Sequence, residues 1–125
     1  MAYRLATLLA SLLVCGCATT HDINNTQVRS NLMSEFLNGR SNMDCHTSCS
    51  GSWGQVRRSA LAQYGTNDWN GLALTVLGVG YDTDLAWFYL GRAAEGLGRP
   101  DAARIYYSRA LYARQRCDYL FNLSR

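Results

Sequence analysis

Lysine is absent from this chain of 125 residues, and all 12 of its basic side chains are arginine. That usage follows from base composition rather than from any chemistry peculiar to guanidinium. The acidic side chains number 9, no run of like charges exceeds the pair Arg57-Arg58, and the formal net charge is only +3. Such a weak and scattered excess argues against nucleic acid as a partner. Glutamate occurs only at positions 35 and 95, and histidine only as His21 and His46. There is no serine elbow and no glycine-rich phosphate loop, so nothing assembles a hydrolytic relay or cradles a nucleotide. We therefore expect no enzyme, no catalytic residues, and no metal or cofactor. Proline occurs once, at Pro100, so almost nothing breaks helices from within. No apolar run reaches the roughly 20 residues of a membrane-spanning helix.

What is present begins at the N-terminus, MAYRLATLLASLLVCGC. Arg4 supplies a short positive region, and residues 5–14 form an apolar run of secretory-signal length. The run stops at Val14-Cys15-Gly16-Cys17, which resembles the lipobox of bacterial lipoproteins. The resemblance implies a signal peptide over residues 1–16, cleavage before Cys17, and diacylglyceryl and acyl chains on that residue. Each buried methylene of such chains contributes about 0.8 kcal/mol, so several chains make a stable anchor. The alternative is an ordinary signal peptide cut after Cys17-Ala18 or a similar small pair. Ala18, where a retention signal has Asp, implies the outer membrane, with the protein facing the periplasm. Residues 17–26, polar and without periodicity, read as a flexible tether.

The remainder reads as helical. Residues 27–38 place Val28, Leu32, Phe36 and Leu37 near one helical face. A loop follows that carries Cys45, His46 and Cys49, so residues 27–49 form a short helix and a cysteine-containing loop. Residues 52–64 carry Trp53, Val56, Ala60 and Leu61 at spacings of three and four. Gly65-Thr66-Asn67-Asp68 stops that helix and restarts another, with Thr66 or Asn67 as N-cap. Residues 69–77 present Leu72, Ala73, Val76 and Leu77. Asp82-Thr83-Asp84 opens the next helix with acidic groups at its positive end. It ends at Gly96-Leu97-Gly98, and Pro100 starts a last helix running to about residue 116. The expected fold is all-α: two stacked helical hairpins over residues 50–125 plus the short N-terminal helix.

Trp53 and Trp87 are 34 residues apart, one tetratricopeptide period. Over residues 84–117, Trp87-x2-Leu90-Gly91 and Ala103-x3-Tyr107-x2-Ala110 resemble the tetratricopeptide motif. Ala94 stands where that motif has Tyr, and Gln115 where it closes on Pro. Residues 50–83 form a more degenerate unit, with Trp53 and Ala60 in place but Arg57 where the motif has Gly. The resemblance implies an α-solenoid fragment in which Gly91 and Ala103 are close-contact positions. Trp53, Trp87, Leu90, Tyr107 and Ala110 would fill its interior. It further implies a protein-binding face on the first helix of the second hairpin, along Leu85, Phe88, Arg92 and Glu95. About three repeats are needed for such arrays to be stable. Two therefore need support from the 27–38 helix, the Tyr119-Leu120-Phe121 segment, a disulfide or self-association.

Cys45, Cys49 and Cys117 sit in what would be an oxidising compartment, where disulfides persist. Cys45–Cys49 closes a tiny loop. A bridge from either to Cys117 closes about 70 residues and is worth roughly 4 kcal/mol in the chain-entropy model. Both pairings remain open. A third option groups Met43, Cys45, His46 and Cys49 around a soft metal such as Cu(I), or uses the cysteines as a redox pair.

The first expectation is a lipid-anchored module that binds another envelope protein or peptide. The second is a structural or assembly subunit, acting like a pilotin or scaffold in a secretion, conjugation or pilus machine. Self-association into a homo-oligomer would mark the second.

Overall fold

The computed structural model describes residues 21–115. The expected leader, the expected lipidation site Cys17, residues 18–20 of the expected tether, Cys117 and residues 119–121 lie outside the described residues. The described chain is all-α, with five α-helices: α1 Thr26–Leu37, α2 Ser50–Gly65, α3 Trp69–Val79, α4 Asp84–Gly96 and α5 Pro100–Leu111. A single 3-10 turn, Thr47–Cys49, leads into α2. Among the described residues the only strand-like pairings are two isolated parallel bridges, Cys45 with Tyr81 and Thr83 with Gln115.

Local chemistry places the boundaries. Asn25 caps α1 by accepting from the backbone N–H groups of Gln27 and Val28 at 3.0 and 3.1 Å, satisfying two of the donors that a helix start leaves free. Between α2 and α3 the work is divided among three residues. The Thr66 hydroxyl donates to the Ala62 carbonyl at 3.0 Å and closes α2. Asn67 takes the left-handed conformation at φ 58°, which Asn tolerates better than most residues. The N-cap of α3 is then Asp68, whose carboxylate accepts from Gly71 N–H at 3.1 Å. This corrects the expectation of Thr66 or Asn67, because both are used in ending the preceding helix. Gly80, at φ 66°, closes α3, a conformation that costs glycine nothing. Pro100 and Asp101 open α5, where a missing N–H is harmless and a carboxylate is favoured.

Helix α5 ends at Leu111, short of the expected residue 116. Beyond it the chain pairs with the segment before α4: Gln115 N–H donates to the Asp82 carbonyl, and Asp84 N–H to the Gln115 carbonyl, both at 3.1 Å. These bonds compete with helix continuation and end it.

Helices adjacent in sequence pack on one another, α2 on α3, α3 on α4 and α4 on α5, with α4 and α5 the most extensive pair. Short connections make each an antiparallel neighbour of the next, so the chain forms two successive hairpins. Close approach of α4 and α5 depends on Gly91: a Cβ there would overlap the Tyr107 ring. Helix α4 is the centre of the stack, and Leu85, Ala86, Trp87, Tyr89, Leu90, Ala93 and Ala94 are all buried in it. Trp53, Ala103 and Ala110 are also in the core, while Tyr107 is half-buried.

Helix α1 belongs to the same core. The Phe36 ring stacks on Tyr106 of α5 with centroids 5.5 Å apart, and Tyr106 stacks on Trp87 at 5.9 Å. The Tyr106 hydroxyl, fully buried, donates to the Phe36 carbonyl at 2.6 Å and accepts from Ser41 N–H at 3.3 Å. Residues 27–49 and the hairpins are thus one unit. Part of the segment expected as a tether contacts the folded part. His21 N–H donates to the Gly78 carbonyl at 3.2 Å, and Ile23 lies against Gly78.

Two outcomes are expected in urea unfolding of the folded domain. Tyr106→Phe should lose about 1–3 kcal/mol, because the buried Ser41 N–H loses its acceptor, while the Phe36 carbonyl keeps the Gly39 N–H. Gly91→Ala should also destabilise, by about 1–3 kcal/mol of overpacking, despite the roughly 1 kcal/mol that alanine gains in helix propensity. Combining it with Tyr107→Ala should relieve the clash.

Candidate protein-interaction face

Burial of α4 on almost every side leaves one strip of it at the surface: Phe88, Arg92, Glu95 and Gly96. Leu85, expected on the binding face, is only 7% exposed. It lies in the first turn of the central helix, where packing on both sides leaves no surface. The face is narrower than the 3.6-residue periodicity of one isolated helix implies.

That strip rests on aromatic rings from both hairpins. Tyr64, at the end of α2, lies 6.3 Å from Phe88, 5.5 Å from Tyr89 and 6.2 Å from Trp69 between centroids. Phe88 is 6.0 Å from Tyr107 on α5. Over this bed lies the Arg92 guanidinium, 5.8 Å from the Tyr64 ring centre and 5.9 Å from that of Trp69. Such cation–π contacts contribute about 0.5–1 kcal/mol each at partly exposed sites. Arg92 Nη1 also donates to Glu95 Oε2 at 2.8 Å. With side-chain exposures of 38% and 42%, this pair contributes only a few tenths of a kcal/mol. Its larger effect is to hold both side chains in one orientation.

Electrostatics follow from this packing. Burial alone would lower the pKa of Arg92, but hydrogen bonds to Tyr64 and Tyr107 outweigh it, and the guanidinium stays charged. The Tyr107 phenol is pushed up to about 12, first by burial and then by its hydrogen bond to Glu95, with Arg92 pulling partly in the other direction. Trp69 and Tyr64 were not among the expected site residues, and Tyr107 was expected as a packing residue rather than beneath this face. The signal available was the placement of Tyr64 and Trp69 on either side of the turn that joins α2 to α3, the end of the hairpin beside which α4 packs.

The cysteines lie at the opposite edge of the molecule. Cys45 and Cys49 form a disulfide, with Cα atoms 5.8 Å apart. Of the two pairings left open by the sequence, this one is formed, and Cys117 lies outside the described residues. Both sulfurs are taken, so neither is the thiolate that a soft metal requires. Met43 is buried in the core. Among the described residues no group of three or more His, Cys, Asp or Glu side chains could hold a metal. The disulfide loop is tied to the segment before α4, with Cys45 N–H donating to the Gly80 carbonyl at 3.0 Å and Asp82 N–H to the Cys45 carbonyl at 2.8 Å. The start of α2 and the chain beyond α5 meet here, Gln115 Nε2 lying 3.5 Å from Thr47 Oγ1.

Among the described residues no helix is long and apolar enough to cross a membrane. No protein-family model, curated protein or solved structure matches this chain.

Because the folded-state pKa of Tyr107 lies above that of a free phenol, its contribution to stability is complete below pH 10.0 and is lost as pH rises through about 12. Unfolding free energy should therefore fall across this interval, and Tyr107→Phe should flatten the decline. Alkylation of the native protein should leave Cys45 and Cys49 unmodified until reductant is added. Free reactivity at either would overturn the disulfide assignment.

Proposed function

We propose that this chain is a lipid-anchored protein–protein interaction module of the bacterial cell envelope, tetratricopeptide-like in its helical hairpins. The observation that carries this reading is the strip Phe88, Arg92 and Glu95, held on a bed of Tyr64, Trp69 and Tyr107. Arginine and aromatic side chains provide most binding hot spots. Side chains already fixed before binding lose little conformational entropy when a partner docks. The lipobox-like Val14-Cys15-Gly16-Cys17 supports attachment through Cys17 to the outer membrane, with the folded part in the periplasm. The partner is another envelope protein or peptide.

A second reading, a structural or assembly subunit, is favoured by one observation. Leu61 on the first hairpin is 60% exposed and Leu111 on the last helix 57% exposed, so both ends of the stack offer apolar contact to another subunit.

In envelope crosslinking, the full chain should capture a partner that is lost in the double variant Phe88→Ala with Arg92→Ala. Circular dichroism establishes that the variant remains folded, and retention of every partner sinks this face. Cys17→Ser should abolish labelling by radioactive palmitate. Light scattering of the exported domain addresses the second reading, since a strict monomer counts against it.

A further inference from the structure

At the disulfide edge, away from Phe88 and Arg92, the loop around Cys45 and the last turn of α5 enclose a cleft of about 330 Å³. That is the lower end of the range for small-ligand sites, about 300–1,000 Å³. Both signs of charge line it, but they are not equally satisfied. Asp82 Oδ1 accepts from the Trp87 indole N–H at 2.8 Å, and its Oδ2 lies 3.9 Å from His46 Nδ1. Asp44 accepts from Asn42 Nδ2 at 2.9 Å. Each carboxylate therefore already has a donor.

The two guanidiniums lining the cleft, Arg109 and Arg114, have no carboxylate within ion-pair distance among the described residues. Arg109 is instead stacked over the Trp87 ring, 5.0 Å from its centre, which fixes the direction in which it points. Formal charges of the two signs balance in the cleft, but the carboxylates have hydrogen-bond donors within it and the two guanidiniums have no acceptor there among the described residues. His46 Nδ1 is buried in its wall without a hydrogen-bond partner. At the rim Tyr112 stands 83% exposed, a ring that the fold itself does not use.

We infer that this cleft binds a carboxylate borne on a small apolar or planar body, held by Arg109 and Arg114 and covered by Tyr112. A planar carboxylate matches the guanidinium fork and can accept two parallel hydrogen bonds from one arginine. A dianionic phosphate carries more charge towards Asp44 and Asp82, whose repulsion grows with that charge. The carboxylate has two sources, a small free acid or the C-terminus of a peptide, and both present the same chemistry. The site is independent of the partner face on α4.

The test uses the full chain in detergent micelles with its disulfide intact, read by the NMR resonance of the Trp87 indole N–H. N-acetylphenylalanine should shift that resonance saturably, and its C-terminal amide should not. Arg114→Gln, at an exposed position that leaves the fold alone, should weaken binding at least tenfold. Arg109→Gln should do the same, with circular dichroism checking that the core survives. A pentapeptide with a free C-terminus that binds more tightly than N-acetylphenylalanine assigns a chain terminus. A pentapeptide that fails to bind while the single residue binds assigns a small acid. Equal binding of the amide, no saturable shift with any probe, or inorganic phosphate binding as tightly as the carboxylate would each overturn the proposal. Loss of the crosslinked partner through Phe88 and Arg92 is measured separately, so either site can fail alone.

Discussion

The buried hydroxyl of Tyr106 is the constraint on which the rest of the molecule depends. Its ring is sandwiched between Phe36 and Trp87, inside a core where an unpaired phenol would cost about 1–3 kcal/mol. The group that satisfies it is the carbonyl of Phe36, in the last turn of α1, with Ser41 four residues beyond that helix completing the set. Satisfying one side chain of α5 thus fixes where α1 ends and where the following loop begins. That loop then has to pass the segment joining α3 to α4, and the backbone bonds between Cys45, Gly80 and Asp82 follow. Two helical hairpins alone bury only a modest core. The Phe36–Tyr106–Trp87 stack makes α1 the third layer.

Placing α4 at the centre has a cost that explains its composition. A helix surrounded on nearly all sides must be apolar nearly all round, and its neighbours can approach only where its side chains are small. Gly91 makes room for Tyr107, and Gly96 for the Trp69 indole. The large rings of the neighbours then converge over the one strip that stays exposed, which is why Arg92 lies on an aromatic bed rather than in water. The same crowding that removes Leu85 from the surface therefore gives the remaining face its rigidity.

The helices themselves were legible because they are local. Periodicity at three and four residues, Pro100 at a helix start and glycine at helix ends marked five segments, and five helices form. Boundaries were less legible where two elements share residues, as at Thr66, Asn67 and Asp68, since a residue ending one helix is unavailable to cap the next. The end of α5 was not legible, because Gln115 is drawn off by Asp82 and Asp84, over 30 residues away in sequence. The same limit applies to the face. Periodicity told which residues share a side of α4, but not which sides are covered. The tetratricopeptide resemblance implied Tyr107 as the packing residue, whereas its neighbour Tyr106 is the one fully buried. Nothing local distinguishes two adjacent tyrosines until the position of α1 is known.

The disulfide illustrates how a weak global restraint can be a strong local one. Closing so short a loop contributes only about 2 kcal/mol in the chain-entropy model, less than the loss expected from several single core substitutions. Yet the loop it ends, with Asn42, Met43, Asp44 and His46, forms one wall of the cleft lined by Arg109 and Arg114. The loop wall, unlike Arg109 and Trp87, belongs to no regular helix, so it is not positioned by the ladder of backbone bonds that orders the rest of the chain. The cross-link limits the conformations of a loop that burial of Met43 and Cys49 alone would define less tightly. Its consequence is therefore to be sought in the geometry of that edge more than in the midpoint of unfolding.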